Sequence, residues 1–265
     1  MNKINKNFLV VSNYKNDTSW IPEYTENYIV YNKTDSPISK NVNPTKVIES
    51  PNIGYNFYDY FTYIIDNYEN LPECIIFTKS NVFPRHITKE FFDTCINNEC
   101  FTALENWKTY IPIFPANFTS NDGYFCEINN SWYMKNFKSK YFNSYNDFLR
   151  FIYNDPVIPL YVHFATGGNY IVPRTHILKL PKVVYQNLRL FISHCMLPAE
   201  AHIIERAIHT LWMSNFELSQ KILTPINANF IYRDDNKEKL SRKIYFIFCS
   251  IILKIFKKNN IYTDN

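Results

Sequence analysis

Only four glycines occur among the 265 residues: Gly54, Gly123, Gly167 and Gly168. That leaves no Gly-x-Gly-x-x-Gly dinucleotide fingerprint, no Walker loop and no Gly-x-Ser-x-Gly elbow. Glycines this few are expected where the backbone needs them. Cysteine occurs six times, never as a Cys-x-x-Cys pair. Cys74 and Cys249 sit in apolar runs, and Cys95, Cys100, Cys126 and Cys195 are scattered. This excludes a disulfide framework and a structural zinc site, and points to reduced thiols. Charge of one sign is also missing. The formal charge is +4, with basic residues dispersed outside the C-terminal stretch, which argues against a nucleic-acid partner. No apolar run reaches the roughly 20 residues of a membrane span. The opening MNKINKNFLVVSNY has neither a long apolar stretch nor a small-residue cleavage site, so a cytoplasmic location is expected.

What is present is a chain with a 46% hydrophobic fraction, enough for a sizeable core. The excess of Tyr and Phe accompanies abundant Asn, Ile and Lys, the bias of an AT-rich gene. The most informative stretch runs from Pro51 to Phe83. Pro51-Asn52-Ile53-Gly54 is a turn signal. Phe57, Tyr60, Phe61, Ile64, Ile65 and Tyr68 then form one helical apolar stripe. Asn56 is the expected N-cap, with Asp59 three residues on as a variant capping box. Leu71-Pro72 ends the helix, and Cys74 to Phe77 reads as a short buried strand. It runs into a polar, basic loop, Thr78-Lys79-Ser80-Asn81, then Pro84-Arg85-His86.

Phe8–Ser12, Tyr28–Tyr31 and Lys46–Glu49 read as earlier strands. Strand, loop, strand, turn, helix, strand suggests a Rossmann-like half, with ligands at the carboxyl ends of the strands. Further helices are expected at about 87–100, 144–153, 182–194 and 198–216, and strands at 160–164 and 170–172. One domain is expected over 1–241, with an irregular aromatic insert at about 101–159. The tail, 242–265, carries an apolar run flanked by Arg242, Lys243, Lys257 and Lys258. It reads either as a final packed helix or as a peripheral membrane contact.

PNIGYNFYDYFTYIIDNYENLPECIIFTKSN resembles the central motif of an uncharacterised glycosyltransferase-like family. VVSNYKNDTSWI resembles that family's first strand and loop. GGNYIVPRTHILKLPKVVYQNL and HIIERAIHTLW resemble its Gly-containing strand and its Glu-Arg helix. Together the blocks span about two thirds of the chain, in the family's order. The resemblance implies a GT-A-like α/β fold, a mixed sheet flanked by helices, and transfer of a sugar from a nucleotide-sugar donor to a glycan or other hydroxyl acceptor. GT-A enzymes usually hold a divalent metal on an Asp-x-Asp motif after the fourth strand. Here that place reads Lys79-Ser80-Asn81, so no metal or other cofactor is expected. The Glu-Arg helix departs too, with Ile208 where an aromatic is common.

Glycosyl transfer requires a held donor, a stabilised diphosphate and a deprotonated acceptor hydroxyl. Asn52, Gly54, Tyr55 and Asn56 could cradle the donor phosphates at a helix start, or form a plain turn and cap. Asn13, Asp17 and Asn81, at strand ends, are further donor contacts. Lys79, Arg85 and His86 are candidate cations for the leaving diphosphate, against the reading of a solvated basic loop. Gly167, Gly168 and Asn169 form a loop assigned to the acceptor or sugar. Glu205 is the candidate general base. It is placed with His202, His209 and Trp212 at the edge of a core stripe, where desolvation is expected to raise its pKa. The alternative for Glu205 is an ion pair with Arg206 or Arg189. Two other classes remain open: a metal-dependent hydrolase on His202, Glu205 and His209, and a non-catalytic carbohydrate-binding or scaffold protein.

Overall fold

The strand Phe8–Asn13 (β1) is apolar on both faces because it is covered on both. Val10 enters one core, while Leu9 and Val11 enter the other. Helix Ile21–Tyr24 (α1), strand Tyr28–Lys33 (β2) and strand Val47–Ser50 (β3) follow. Next come helix Tyr55–Asp66 (α2) and strand Cys74–Lys79 (β4). In this computed structural model the described residues are 3–105, 117–119, 124–232, 244, 247, 248 and 251. Helix Lys89–Cys95 (α3) and strands Thr102–Ala103 (β5), Asn117–Thr119 (β6) and Phe125–Ile128 (β7) lead into helix Tyr145–Ile152 (α4). Strands Tyr161–Phe164 (β8) and Tyr170–Pro173 (β9) precede helices Arg174–Ile177 (α5), Lys182–Ile192 (α6) and Ala199–Met213 (α7).

The fold is mixed α/β. Six strands pair in the order β3-β2-β1-β4-β9-β5. The first four are parallel, while β9 runs antiparallel to both β4 and β5. A second sheet, β6-β7-β8, is antiparallel. On one face of the large sheet, Ile75, Phe77, Tyr170 and Val172 pack against α2, α6 and α7. On the other, Leu9, Ile76 and Ile171 pack against Trp20, Tyr24 and Phe92. β2 and β4 branch to opposite sides of β1, so the carboxyl ends of β1 and β4 form a switch point, the usual crevice of open α/β sheets.

The expected strands form, four of them one or two residues longer than expected, and the larger helices form with trimmed ends. Thr88 caps α3, accepting from the Phe91 amide at 3.1 Å, and Ser144 caps α4. Three local expectations change. Asn56 is not the cap of α2, because Gly54 holds that position in the left-handed region (φ +63°). A Cβ at Gly54 would lie 2.8 Å from the Ile192 carbonyl oxygen, so α6 leaves no room for a side chain. Asp59 takes no part in a capping box. It is buried, accepting from Lys33 Nζ at 2.9 Å and from the hydroxyls of Ser12 and Ser50. Tyr68 lies beyond the end of α2, its hydroxyl donating to the Leu180 carbonyl. The insert is less irregular than expected, carrying β5 to β7 besides the expected helix α4. Of the tail, only Ile244, Ile247, Phe248 and Ile251 are described. They are helical and exposed, and the rest of 242–265 lies outside the described residues.

Candidate functional site

Two adjoining cavities open at the switch point. The first, about 270 Å³, lies over the ends of β1, β2 and β4. Ser12, Lys33, Lys79, Ser80 and Asn81 form its floor, with Tyr14 and Asn16 from the loop after β1. Asn52, Tyr55 and Asn56 close one side, and Met196 and Leu197 the rim. The second, about 590 Å³, lies between the start of α2, the small sheet and α7. Its wall includes Phe125, Trp132, Tyr133, Phe137 and Phe164, and its polar side Glu205, His202 and Gly167. Tyr55, Lys79 and Arg85 line both cavities.

The partition is built from the backbone outward. Gly54 and Tyr55 are both left-handed, at φ +63° and +59°. For a tyrosine this conformation is uncommon, and such strain concentrates at functional sites. Lys33, buried at the end of β2, fixes the turn by donating to the carbonyls of Pro51 and Ile53 at 3.1 and 3.2 Å. The Lys79 ammonium lies 5.4 Å from the centre of the Tyr55 ring. Burial lowers the Lys79 pKa and Arg85 adds to this, while Glu205 opposes both. Arg85 is exposed.

Asn169 holds the end of β4 against the reversed strand. Its Oδ1 accepts from the Lys79 amide at 3.0 Å and from Thr78 Oγ1 at 3.2 Å. The turn Thr166–Gly168 is thereby set over α2, and Asn56 Nδ2 donates to the Gly167 carbonyl at 3.0 Å. Gly167 is left-handed (φ +78°), and a Cβ there would lie 2.7 Å from His86 Nε2. Its amide donates to Glu205 Oε1 at 2.6 Å.

Glu205 reverses the expected pKa direction. Burial does push it up, but His202, Arg206 and Lys79 together bring it down to about 2. Arg206 Nη1 donates to Glu205 Oε2 at 3.2 Å, so the expected local ion pair exists beside the cavity. Arg189 turns elsewhere, donating to Thr62. Arg206 is itself buried and forked onto Glu127 at 2.8 and 3.0 Å, with its guanidinium 4.0 Å from the Tyr133 ring centre. His86 also departs from its expected cationic role. Burial, then Lys79 and Arg85, bring its pKa down to about 3, so its imidazole is neutral at physiological pH.

The structure brings Asn52, Tyr55, Asn56, Lys79, Asn81, Arg85, His86, Gly167 and Glu205 around one partition, whereas Gly54 lines neither cavity and packs on Ile192. It leaves Asn13 and Asp17 outside both cavity linings. Asn13 is buried, donating to Asn32 and Pro37 and accepting from Ser80. Asp17 accepts from Ser19 and Ser39, which lower its pKa. Gly168 packs on Phe57. His209 does not join His202 and Glu205. Its ring lies 4.6 Å from Tyr124, in a different cavity. Trp212 is in the core, donating to the Tyr185 hydroxyl. Among the described residues no group of three or more His, Cys, Asp or Glu side chains could hold a metal ion.

Residues 9–230 match the family described as "Protein of unknown function (DUF3431)". The chain belongs to the DUF3431 family. No curated protein and no solved structure matches it. The matched span of this DUF3431 chain contains both cavities and all the residues of their shared wall. Sequence reasoning passed over Tyr14, Asn16, Lys33, Trp132, Thr166 and Met196. Only the alternation of Trp132-Tyr133 with Phe137 in a polar stretch was a usable signal, since the others converge through tertiary packing alone.

Proposed function

We propose that this DUF3431 chain is a glycosyltransferase of GT-A-like fold. It would move a sugar from a nucleotide-sugar donor to a glycan or other hydroxyl acceptor. The observation that carries this is the position of Lys79 and Arg85 on the wall shared by two adjoining cavities at the switch point. A donor in the first cavity would set its diphosphate against these cations, with Tyr14 and Met196 beside the base. The acceptor would lie in the aromatic second cavity. Fixed cations stabilise a departing diphosphate without a metal, and losing one such contact costs about 2.7–4 kcal/mol in well-studied sites. Both carboxylate oxygens of Glu205 are already engaged, by the Gly167 amide and by Arg206, so it is not free to take the acceptor proton. It suits instead the positive charge that develops on the sugar carbon.

The test is release of nucleotide from a panel of nucleotide sugars in the presence of chelator. Lys79→Ala and Arg85→Ala should each slow release by about 10²–10³-fold with the fold intact. No binding of any nucleoside diphosphate by the folded protein overturns the donor site. Turnover that needs manganese or magnesium overturns the cationic mechanism. The acidity of Glu205 favours one other reading, a carbohydrate-binding protein without turnover. That reading predicts donor binding with no release. The exposed apolar positions Ile244, Ile247 and Ile251, with the basic flanks of the tail, support peripheral contact of a cytoplasmic protein with an anionic membrane. Co-sedimentation with anionic but not neutral vesicles, lost on deleting 242–265, is the check. Among the described residues no helix is long and apolar enough to cross a membrane.

A further inference from the structure

His86 meets a point where three elements converge. It is 8% exposed, and its ring lines the second cavity. The Thr166 hydroxyl donates to Glu105 Oε2 at 2.7 Å, so its proton is committed there. Thr166 Oγ1 also lies 3.2 Å from His86 Nδ1 and can only accept from it. This assigns the tautomer: Nδ1 carries the hydrogen, and Nε2 presents a lone pair. Nε2 is buried and has no hydrogen-bond partner. Leaving such a group unpaired costs about 1–3 kcal/mol, so it calls for a function. A Cβ at Gly167 would lie 2.7 Å from Nε2 and 2.9 Å from Lys79 Cε. The backbone of Gly167 and the stem of Lys79 therefore both lie close to Nε2, and of the two the lysine side chain is the one that can swing.

We infer that His86 Nε2 is the proton acceptor of the site, and that an anion seated between Lys79 and Arg85 enables it. The inference rests on the donor and acceptor cavities proposed above. The charged groups around the ring are Lys79 from the end of β4, Arg85 from the following loop, Glu105 after β5 and Glu205 from α7. In the free protein burial first, and then the two cations, oppose a charge on His86. A bound diphosphate neutralises both and draws the Lys79 ammonium toward the first cavity, away from Nε2. The base is thus armed by the donor. In the transfer step the acceptor O–H bond breaks and its proton moves to Nε2. The oxygen's electron pair forms the new bond to the sugar carbon. The pair of the broken sugar–phosphate bond leaves with the diphosphate. Glu205, already committed to Gly167 and Arg206, keeps its charge throughout.

The experiment is nitrogen-15 NMR of the histidine imidazoles in the full chain, with inorganic pyrophosphate as the anion and His86→Asn to assign the signal. Without ligand at pH 6, Nδ1 should be protonated and Nε2 bare. Saturating pyrophosphate should raise the proton affinity of Nε2 at least about tenfold, one pH unit in its midpoint. By linkage, His86→Asn should remove the same factor from the pH dependence of pyrophosphate affinity. Arg85→Ala, at an exposed position, should raise the midpoint of His86 with no ligand present. A midpoint unmoved by pyrophosphate that is demonstrably bound overturns the inference and leaves the donor site standing. So does an Arg85→Ala protein with an unchanged midpoint. Failure of the folded protein to bind pyrophosphate overturns both.

Discussion

Burial alone would hold the Glu205 carboxyl above its ordinary value. His202, Arg206 and Lys79 outweigh it and hold the group near 2. A carboxyl depressed in the folded state stabilises the protein above its unfolded pKa, and that contribution is lost as pH falls through the folded value. Glu205→Gln should therefore lower stability at pH 7 by about 1–3 kcal/mol. The difference from wild type should shrink between about pH 4.5 and about pH 2, as denaturant titrations at pH 7 and pH 3 will reveal. His86 tilts stability in the same direction, over a higher pH range. Its folded pKa of about 3 lies below the ordinary 6.5, so the unfolded chain binds a proton that the folded chain refuses. This single residue tilts stability downward by up to about 1.4 kcal/mol per unit as pH falls between those values. The thiols give a simpler readout. Burial pushes Cys74 to about 11 and Cys95 to about 12, whereas Cys100 is exposed. Alkylation of native protein, mapped by mass spectrometry, should modify Cys100 well ahead of Cys74 and Cys95, which react only on unfolding.

Helix α7 and strand β7 are joined by one buried ion pair. Arg206 forks onto Glu127 and stacks against Tyr133 and Phe164. Removing one partner of such a pair strands the other charge, at about 3–5 kcal/mol. Arg206→Ala should lose stability on that scale, and Arg206→Lys should not rescue it, because lysine supplies neither the fork nor the flat face. Chemical denaturation of both variants decides this. The turn before β9 has a different vulnerability. Gly167→Ala meets a left-handed backbone and the His86 ring together, so thermal unfolding should show a lower midpoint for this variant than for Ala substituted at exposed Lys40. Elements of this kind were unevenly legible in the sequence. β1, β2 and β4 were readable because their apolar runs answer to burial on both faces. The helices were readable from their apolar stripes. The start of α2 was misread, since Asn56 and Asp59 obey a local capping rule only until tertiary partners claim them. Asn56 is taken by Gly167, 111 residues away, and Asp59 by Lys33, Ser12 and Ser50. The acidity of Glu205 was unreadable for the same reason. Arg206 is its sequence neighbour, but the Gly167 amide and Lys79 arrive through the fold.

At the scale of the molecule, the reversed strand β9 is the decisive feature. It lies beside β4 and runs against it, pairing Phe77 with Tyr170 and Cys74 with Pro173. The residues just before β9 therefore fall where β4 ends, and Gly167 reaches His86, Lys79 and Asn56 without a long loop. The consequence lies in time. The parallel strands β1 to β4 and helix α2 are complete within the first third of the chain, while Gly167, Glu205 and Arg206 come much later in synthesis. The first cavity is drawn mostly from that early part. The second is not enclosed until the turn before β9 is set and α7 packs beside it. Anion binding is thus a property that a growing chain can approach early, whereas the companion pocket certifies that folding has finished.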